Sequence, residues 1–464
     1  MAQFHCRWRN VFICLCSPCI CVAILLCYVM IMVCMSMNST STSGIPKSTP
    51  GILTSTPGIH SLNNVHFVAS GTLRNKSYAP IAETFWDLEM NKRGFWNKLQ
   101  HAVDVQFNPI LHLNNTKRKS VNMESLLKQS FSEVADSDSG RKHFAVLSEP
   151  MQEFVRYMQR RDYPSIIQPD GVCGAGAKDE KEPPLLLLAI KTTELNFKNR
   201  QAIRQTWGQA GWQAGHEMNS SGGYIRRVFL LGKEDPETLS VDVSPLLRME
   251  SKHYGDILQW DFHDTFFNLT LKDVLFWNWF SSHCNKTLFV FKGDDDVFVN
   301  TPKMITYLQN ELNKPHAHKT MKDFMIGNVI ALSIPDRWDQ SKYFIPDSFY
   351  SGLYPSYGGG GGVVYSSLLT RRLHLTSKMI HLYPIDDVYV GMCMERLNTY
   401  PIHHPAFLTF DFPKEEGNEL CSYHTILLVH KRSPQQLVRL WADLKKTQRK
   451  CWDVPLRHDN EKKL

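Results

Sequence analysis

The chain has 464 residues, of which 43% are hydrophobic and 21% charged. That supplies a large core and excludes a wholly disordered or collagen-like chain. The formal net charge of +7 is mild and no dense Lys/Arg stripe occurs, so nucleic acid is not an expected partner; the balance suits an anionic small substrate and equally a solvated surface.

Arg7 and Arg9 precede an uncharged stretch, 11–37, rich in Cys, Ile, Val and Met. A bilayer's hydrocarbon core needs about 20 apolar residues, so the stretch reads as an uncleaved anchor. Both arginines lie on its amino-terminal side, which puts residues 1–10 in the cytosol and the rest in a lumen. Residues 38–79 read as a Ser/Thr/Pro-rich stem. Ser-Thr-Pro-Gly-Ile occurs in it at 48–52 and 55–59, and such composition buries too little surface to fold. Sequons begin at Asn38, Asn75, Asn114, Asn219, Asn268 and Asn285. Together they agree with secretory passage.

Residues 80–170 read as a helical extension packed on the main domain. Phe85, Trp86, Phe95, Trp96 and Leu99 recur at helical spacings, and 149–161 is amphipathic. The polar stretch 116–139 reads as loosely ordered. The main domain spans 171–455, with a tail at 456–464. Predicted strands at 185–191, 227–231, 257–261 and 287–291 alternate with predicted helices at 200–207, 245–253, 271–282 and 302–312. This alternation predicts an α/β sheet with helices on both faces, whose ligands bind beyond the carboxyl ends of the strands.

Asp294, Asp295 and Asp296 follow the fourth of these strands. A polar turn would explain Asp and Gly there, but not three adjacent charges between apolar runs. A hard divalent cation held by carboxylates offsets their repulsion. Strand alternation aims Asp294 and Asp296 to one side and Asp295 to the other. Arg200 and Arg204 share one helix face, either as diphosphate ligands or as a solvated basic face. Gly358–Gly362 would let backbone approach a ligand closely, or form a linker. Asp386 and Asp387 precede a predicted helix, 388–397, as an N-cap or as a general base. His430 ends an apolar run, where a structural role is the simpler reading.

Seven of the twelve cysteines lie in or beside the anchor. The other five suit disulfides, since none has zinc-site spacing. Cys393 with Cys421 and Cys173 with Cys284 are the expected pairs, leaving Cys451 over.

The run Lys292-Gly-Asp-Asp-Asp-Val-Phe-Val-Asn300 resembles the metal-binding Asp-x-Asp motif of the Golgi β-1,3-glycosyltransferases. Its form is that of the β-1,3-N-acetylglucosaminyltransferases, the poly-N-acetyllactosamine-synthase-like group; the related galactosyltransferases usually carry Thr-Asp-x-Asp. Arg200-Gln-Ala-Ile-Arg-Gln-Thr-Trp-Gly208, Asp264-Thr-Phe-Phe-Asn-Leu-Thr-Leu-Lys272, the block from Tyr350 to Gly362 and Tyr383-Pro-Ile-Asp-Asp-Val-Tyr-Val-Gly391 match in the same order.

The resemblance implies a GT-A-type nucleotide-sugar-binding mixed sheet flanked by helices and a single-pass type II Golgi membrane address. It implies inverting transfer of N-acetylglucosamine from UDP-GlcNAc, with Mn²⁺ or Mg²⁺, to the 3-hydroxyl of a terminal galactose on a glycoprotein or glycolipid glycan. It assigns Asp387 as catalytic base and Arg200, Arg204, Lys191, Asp294 and Asp295 to the donor. Tyr354, Tyr357, Gly360, Gly361 and Asp386 fall to the acceptor side, and Asp296, Asp294 and His430 to the metal. A β-1,3-galactosyltransferase using UDP-galactose and an inactive lumenal glycan-binding relative are the alternatives. Homo- or hetero-oligomerisation stays open.

Overall fold

The run Leu-Leu-Leu-Ala-Ile-Lys at 186–191 is apolar on both sides, and the strand it forms is buried along its whole length. A strand with no polar face must lie in the middle of a sheet covered on both sides, and this one does. The computed structural model describes residues 94–107, 122–176, 183–216, 222–234, 242–413 and 415–458. The anchor, the stem, Phe85, Trp86 and the sequons at Asn38, Asn75, Asn114 and Asn219 lie outside the described residues. Among the described residues no helix is long and apolar enough to cross a membrane.

The extension contributes helices α1 (Phe95–Phe107), α2 (Met123–Ala135), α3 (Asp138–Ala145) and α4 (Glu149–Tyr157) and strand β1 (Ser165–Ile167). Then come β2 (Leu186–Lys191), α5 (Phe197–Gln205), β3 (Gly211–Gln213), β4 (Gly223–Lys233), α6 (Ser244–Tyr254), β5 (Ile257–His263) and α7 (Leu269–His283). Next are β6 (Phe289–Asp294), β7 (Phe298–Val299), α8 (Thr301–Asn313), β8 (Met325–Gly327), β9 (Val329–Ile330), β10 (Tyr357–Gly358) and β11 (Gly362–Ser366). Last are α9 (Ser367–Ser377), α10 (Asp386–Arg396), β12 (Ile402–His403), β13 (Phe407–Leu408), β14 (Leu428–Val429) and α11 (Pro434–Thr447).

The main sheet runs β1-β5-β4-β2-β6-β11-β8-β12, with β3 on β4. Strands β5, β4, β2 and β6 are mutually parallel, and β11 runs antiparallel between β6 and β8. The result is a mixed sheet flanked by helices. Alternation splits β2 between two cores: Leu187 and Ala189 join one, and Leu186, Leu188 and Ile190 the other.

Two expectations change. The polar stretch 116–139 contains α2 and the start of α3, because Leu127 and Ser130 form a buried stripe and Asn122 caps the amides of Glu124 and Ser125. The disulfides are Cys173–Cys284, as expected, and Cys421–Cys451, while Cys393 is a free buried thiol. Cys393 lies on the wholly buried side of α10, facing the core and not the segment of Cys421.

The extension is integral to the domain. Phe95 and Trp96 donate their amides to the carbonyls of Ser348 and Phe349, both at 2.8 Å. The Trp96 indole donates to Leu382 O at 2.9 Å, and Asp104 pairs with Arg396 at 2.7 Å in the core. The first turn of α1 therefore holds the 348–351 segment in place.

Candidate active site

Strands β2 and β6 are parallel neighbours in a register that sets Lys191 opposite Asp294. Both residues end their strands, at the carboxyl-terminal edge of the parallel part of the sheet. Lys191 Nζ lies 3.1 Å from Asp294 Oδ1 and 2.6 Å from Asp386 Oδ2. Two residues before Asp294 and on the same face, Lys292 reaches Asp273 Oδ2 at 2.6 Å, Asp386 Oδ2 at 3.3 Å and Asp387 Oδ1 at 3.7 Å.

The aspartate triplet divides as alternation predicts. Asp295 turns inward, accepting from Thr192 Oγ1, from Asn196 Nδ2 at 2.9 Å and from Asn199 Nδ2 at 3.3 Å. Burial pushes its carboxyl up to about 6, against those hydrogen bonds. Asp294 and Asp296 turn the other way, toward His430. The pairing of β7, just after the triplet, with β14, just before His430, brings the imidazole there. His430 Nε2 stands 3.2 Å from Asp296 Oδ1 and 3.8 Å from Asp294 Oδ2.

One ligand atom from each of Asp294, Asp296 and His430 lies within 4.8 Å of the others. The charge count favours a cation. Lys191 and Lys292 are two positive charges among Asp273, Asp294, Asp296, Asp386 and Asp387. Carboxylate oxygens with one imidazole suit a hard or borderline divalent ion, so the donor set fits Mn²⁺ or Mg²⁺.

Asp386 and Asp387 open α10, but neither caps it; the cap position is Ile385. The negative pair instead sits where the helix dipole is positive. Asp387 is joined to the metal-type cluster across two glycines. A Cβ on Gly360 would lie 3.5 Å from Asp387 Oδ2 and 3.9 Å from His430 Cε1. Gly361 adopts φ 97°, and a Cβ there would press on the His430 ring at 3.0 Å. These glycines line the floor between the base candidate and the cluster.

The electrostatics separate the carboxyls. Burial raises Asp294 most, but Lys191 and His430 together outweigh it and the net shift is downward. Asp386 lies far below the usual carboxylate range, because Lys191 and Lys292 together overcome its burial. Asp387 is pushed up to about 7, by burial first and by the Asp386 charge second, with the two lysines opposing.

Several expected site residues lie elsewhere. All five guanidinium donors of Arg200 are taken, by Glu250, Thr192, Thr193 O and Glu194 O. Arg204 pairs with Glu250 at 2.6 Å and Asp256 at 2.8 Å. The helix face they share is neither solvated nor open to a diphosphate; it is a buried ion-pair network beneath Thr192. Asp386 is held by two lysines instead of facing an acceptor. The Tyr354 hydroxyl is 2.9 Å from that of buried Tyr383, while Tyr357 remains half-buried on β10. Asn285 is exposed, and Asn268 donates its amide to His263 O at 2.8 Å.

The sequence reading passed over Lys292, Asp273, Asn196 and Asn199. It also missed that Asp264 and Lys272 pair at 2.8 Å, with Lys272 Nζ donating to Thr192 O at 2.9 Å. That bond fixes Thr192 under Asp295. The usable signal was a lysine inside a strand and an aspartate inside an apolar helix, each of which needs a buried partner.

Comparison with known proteins adds a lineage. The galactosyltransferase family profile matches residues 198–405. N-acetyllactosaminide beta-1,3-N-acetylglucosaminyltransferase 2 of Homo sapiens is 41% identical over 80% of this chain and 89% of its own. The Mus musculus protein of the same name is 40% identical over the same shares. UDP-GlcNAc:betaGal beta-1,3-N-acetylglucosaminyltransferase 7 of Rattus norvegicus is 36% identical over 64% of this chain and 72% of its own.

Proposed function

The chain belongs to the β-1,3-N-acetylglucosaminyltransferases of the galactosyltransferase family, and we propose that it transfers N-acetylglucosamine from UDP-GlcNAc to the 3-hydroxyl of a terminal galactose, with inversion. The observation that carries this reading is the placement of Asp387 and the Asp294–Asp296–His430 cluster on either side of Gly360. One group serves the nucleophile and the other the leaving diphosphate. The sheet that presents them is of GT-A type in this reading.

A galactose hydroxyl is a poor nucleophile, and a carboxylate poised near neutrality can take its proton as the new bond forms. Asp387 has that poise. The hydroxyl oxygen attacks the anomeric carbon, the bond to the diphosphate oxygen breaks, and the proton ends on Asp387. A single in-line displacement converts the α-linked donor into a β-linked product. Lys191 and Lys292 hold Asp386 charged and, through it, bias Asp387. Asp295, fixed by Thr192, Asn196 and Asn199, braces the turn between the donor-side carboxylates. Mn²⁺ or Mg²⁺ on Asp294, Asp296 and His430 would supply positive charge to the leaving UDP. Arg200 acts in this reading by supporting Thr192 and Arg204 by holding Glu250 against Arg200, and neither by touching the donor.

In the same reading residues 11–37 anchor the chain in the Golgi membrane as a single-pass type II protein with a lumenal catalytic domain. Two disulfides in the described residues suit an oxidising lumen. A donor panel tests the activity: UDP-GlcNAc should be consumed with a galactose-terminated acceptor and UDP-galactose should not. Transfer from UDP-galactose alone would replace this reading with a galactosyltransferase, and no UDP release with either donor would leave only a binding protein.

A further inference from the structure

Strands β9 and β10 pair through Val329–Gly358 and Ile330–Tyr357, and the chain leaves β10 directly into the glycines beside Asp387. Between these strands runs the connection 331–356, so both its ends are rooted at the base. The connection is ordered by its own hydrogen bonds. Tyr354 N donates to Ser333 O at 2.9 Å, Ile345 N to Asp336 O at 2.9 Å and Ser341 N to Trp338 O at 3.0 Å. Arg337 donates to the carbonyls of Ile345 at 2.5 Å and Tyr350 at 2.9 Å.

This braced connection nevertheless holds large apolar side chains in water. Leu332 is 84% exposed, Ile334 68% and Trp338 66%. Leu332 also takes φ 53°, an uncommon backbone for a residue with a Cβ. Further along, the rings of Tyr343 and Phe266 meet edge to face at 5.3 Å, with Lys342 over both. Three such side chains within one short stretch of a braced connection mark an interaction surface.

We propose that Leu332, Ile334 and Trp338 form an extension subsite for the sugars that follow the terminal galactose of a long acceptor glycan. The inference rests on the acceptor assignment made above. The packing of the connection decides the occupant: Ser356 O and Tyr357 Cβ would lie 2.9 and 3.0 Å from a Cβ on Gly391, one turn along α10 from Asp387, and Tyr354 N holds Ser333, between Leu332 and Ile334, beside them. Pyranose rings present apolar C–H faces that pack on an indole or an aliphatic side chain. Asp336, Asp339 and Asp347, interspersed with Arg337 and Lys342, offer carboxylates to hydroxyls and disfavour an anionic bilayer.

The test compares full-length enzyme, in detergent, on the disaccharide N-acetyllactosamine and on the hexasaccharide of three such units, with saturating UDP-GlcNAc. Wild type should favour the hexasaccharide through a lower KM. Trp338→Ala should remove roughly tenfold of that preference, the size of one aromatic packing contact, and leave kcat and the disaccharide KM unchanged. Leu332→Ala with Ile334→Ala should act in the same direction. Equal wild-type KM values, or a Trp338→Ala loss equal on both acceptors, would overturn the proposal. So would Trp338→Ala that keeps the length preference but loses binding to neutral lipid vesicles, which points to a membrane contact. Normal disaccharide transfer without length preference sinks only this inference, whereas no transfer to either acceptor sinks the acceptor assignment itself.

Discussion

Asp386 and Asp387 are adjacent on the first turn of α10, yet their surroundings drive their carboxyls in opposite directions. Asp386 meets Lys191 at 2.6 Å and Lys292 at 3.3 Å, and stays ionised well below the usual range. Asp387 meets Lys292 at the longer distance of 3.7 Å, is buried beside a permanent negative neighbour, and rises to about 7. Two like groups are thereby split into an ionic brace and a base.

Activity should follow this split in pH. A base must be deprotonated, and Asp387 binds its proton below about 7. The acceptor kcat/KM should therefore fall about tenfold per unit below an apparent pKa near neutrality and level off above it. Metal-saturated initial rates between pH 5 and 8.5 measure it. A flat profile down to pH 5 would place the base elsewhere.

Lys292 opposes the rise in Asp387, so its removal should shift the acid limb upward. Lys292→Met should move the limb toward higher pH and lower kcat, and Asp273, losing its partner, should cost stability. Breaking such a buried pair costs about 3–5 kcal/mol. Asp273→Leu in the same chain should recover part of the Tm loss without restoring the pH limb.

Arg200 answers to stability. Arg200→Leu removes one of the two arginines that hold Glu250, and the donor to Thr193 O and Glu194 O, and should cost about 1–3 kcal/mol, read as a lowered Tm. An unchanged Tm with a raised UDP-GlcNAc KM would return Arg200 to the donor.

His430→Ala should raise the metal concentration for half-maximal activity by at least the roughly tenfold lost when even an outer partner of a metal site is removed. Titration of Mn²⁺ against initial rate checks it.

The sheet was legible because β2, β4, β5 and β6 are apolar runs between turn signals. The split of Asp294 and Asp296 from Asp295 followed from strand alternation alone. Arg200 and Arg204 were correctly placed on one helix face, but sequence spacing does not say whether a face meets solvent, ligand or buried Glu250. The Lys292–Asp273 pair left no periodic trace, since each partner is a lone charge in an apolar element. Cys393 and Cys421 looked close in sequence, yet core packing of α10 buries Cys393 and leaves Cys421 to Cys451, in the turn that follows α11.

The central claim, that Asp387 activates the acceptor while the Asp294–Asp296–His430 cluster serves the leaving group, meets its most direct test in Asp387→Asn. Pre-steady-state transfer and metal-dependent UDP binding should be measured on the same preparation. The account predicts a kcat lowered by about 10²–10⁴-fold with UDP affinity unchanged. Near-normal turnover, or loss of UDP binding in parallel with turnover, would contradict it.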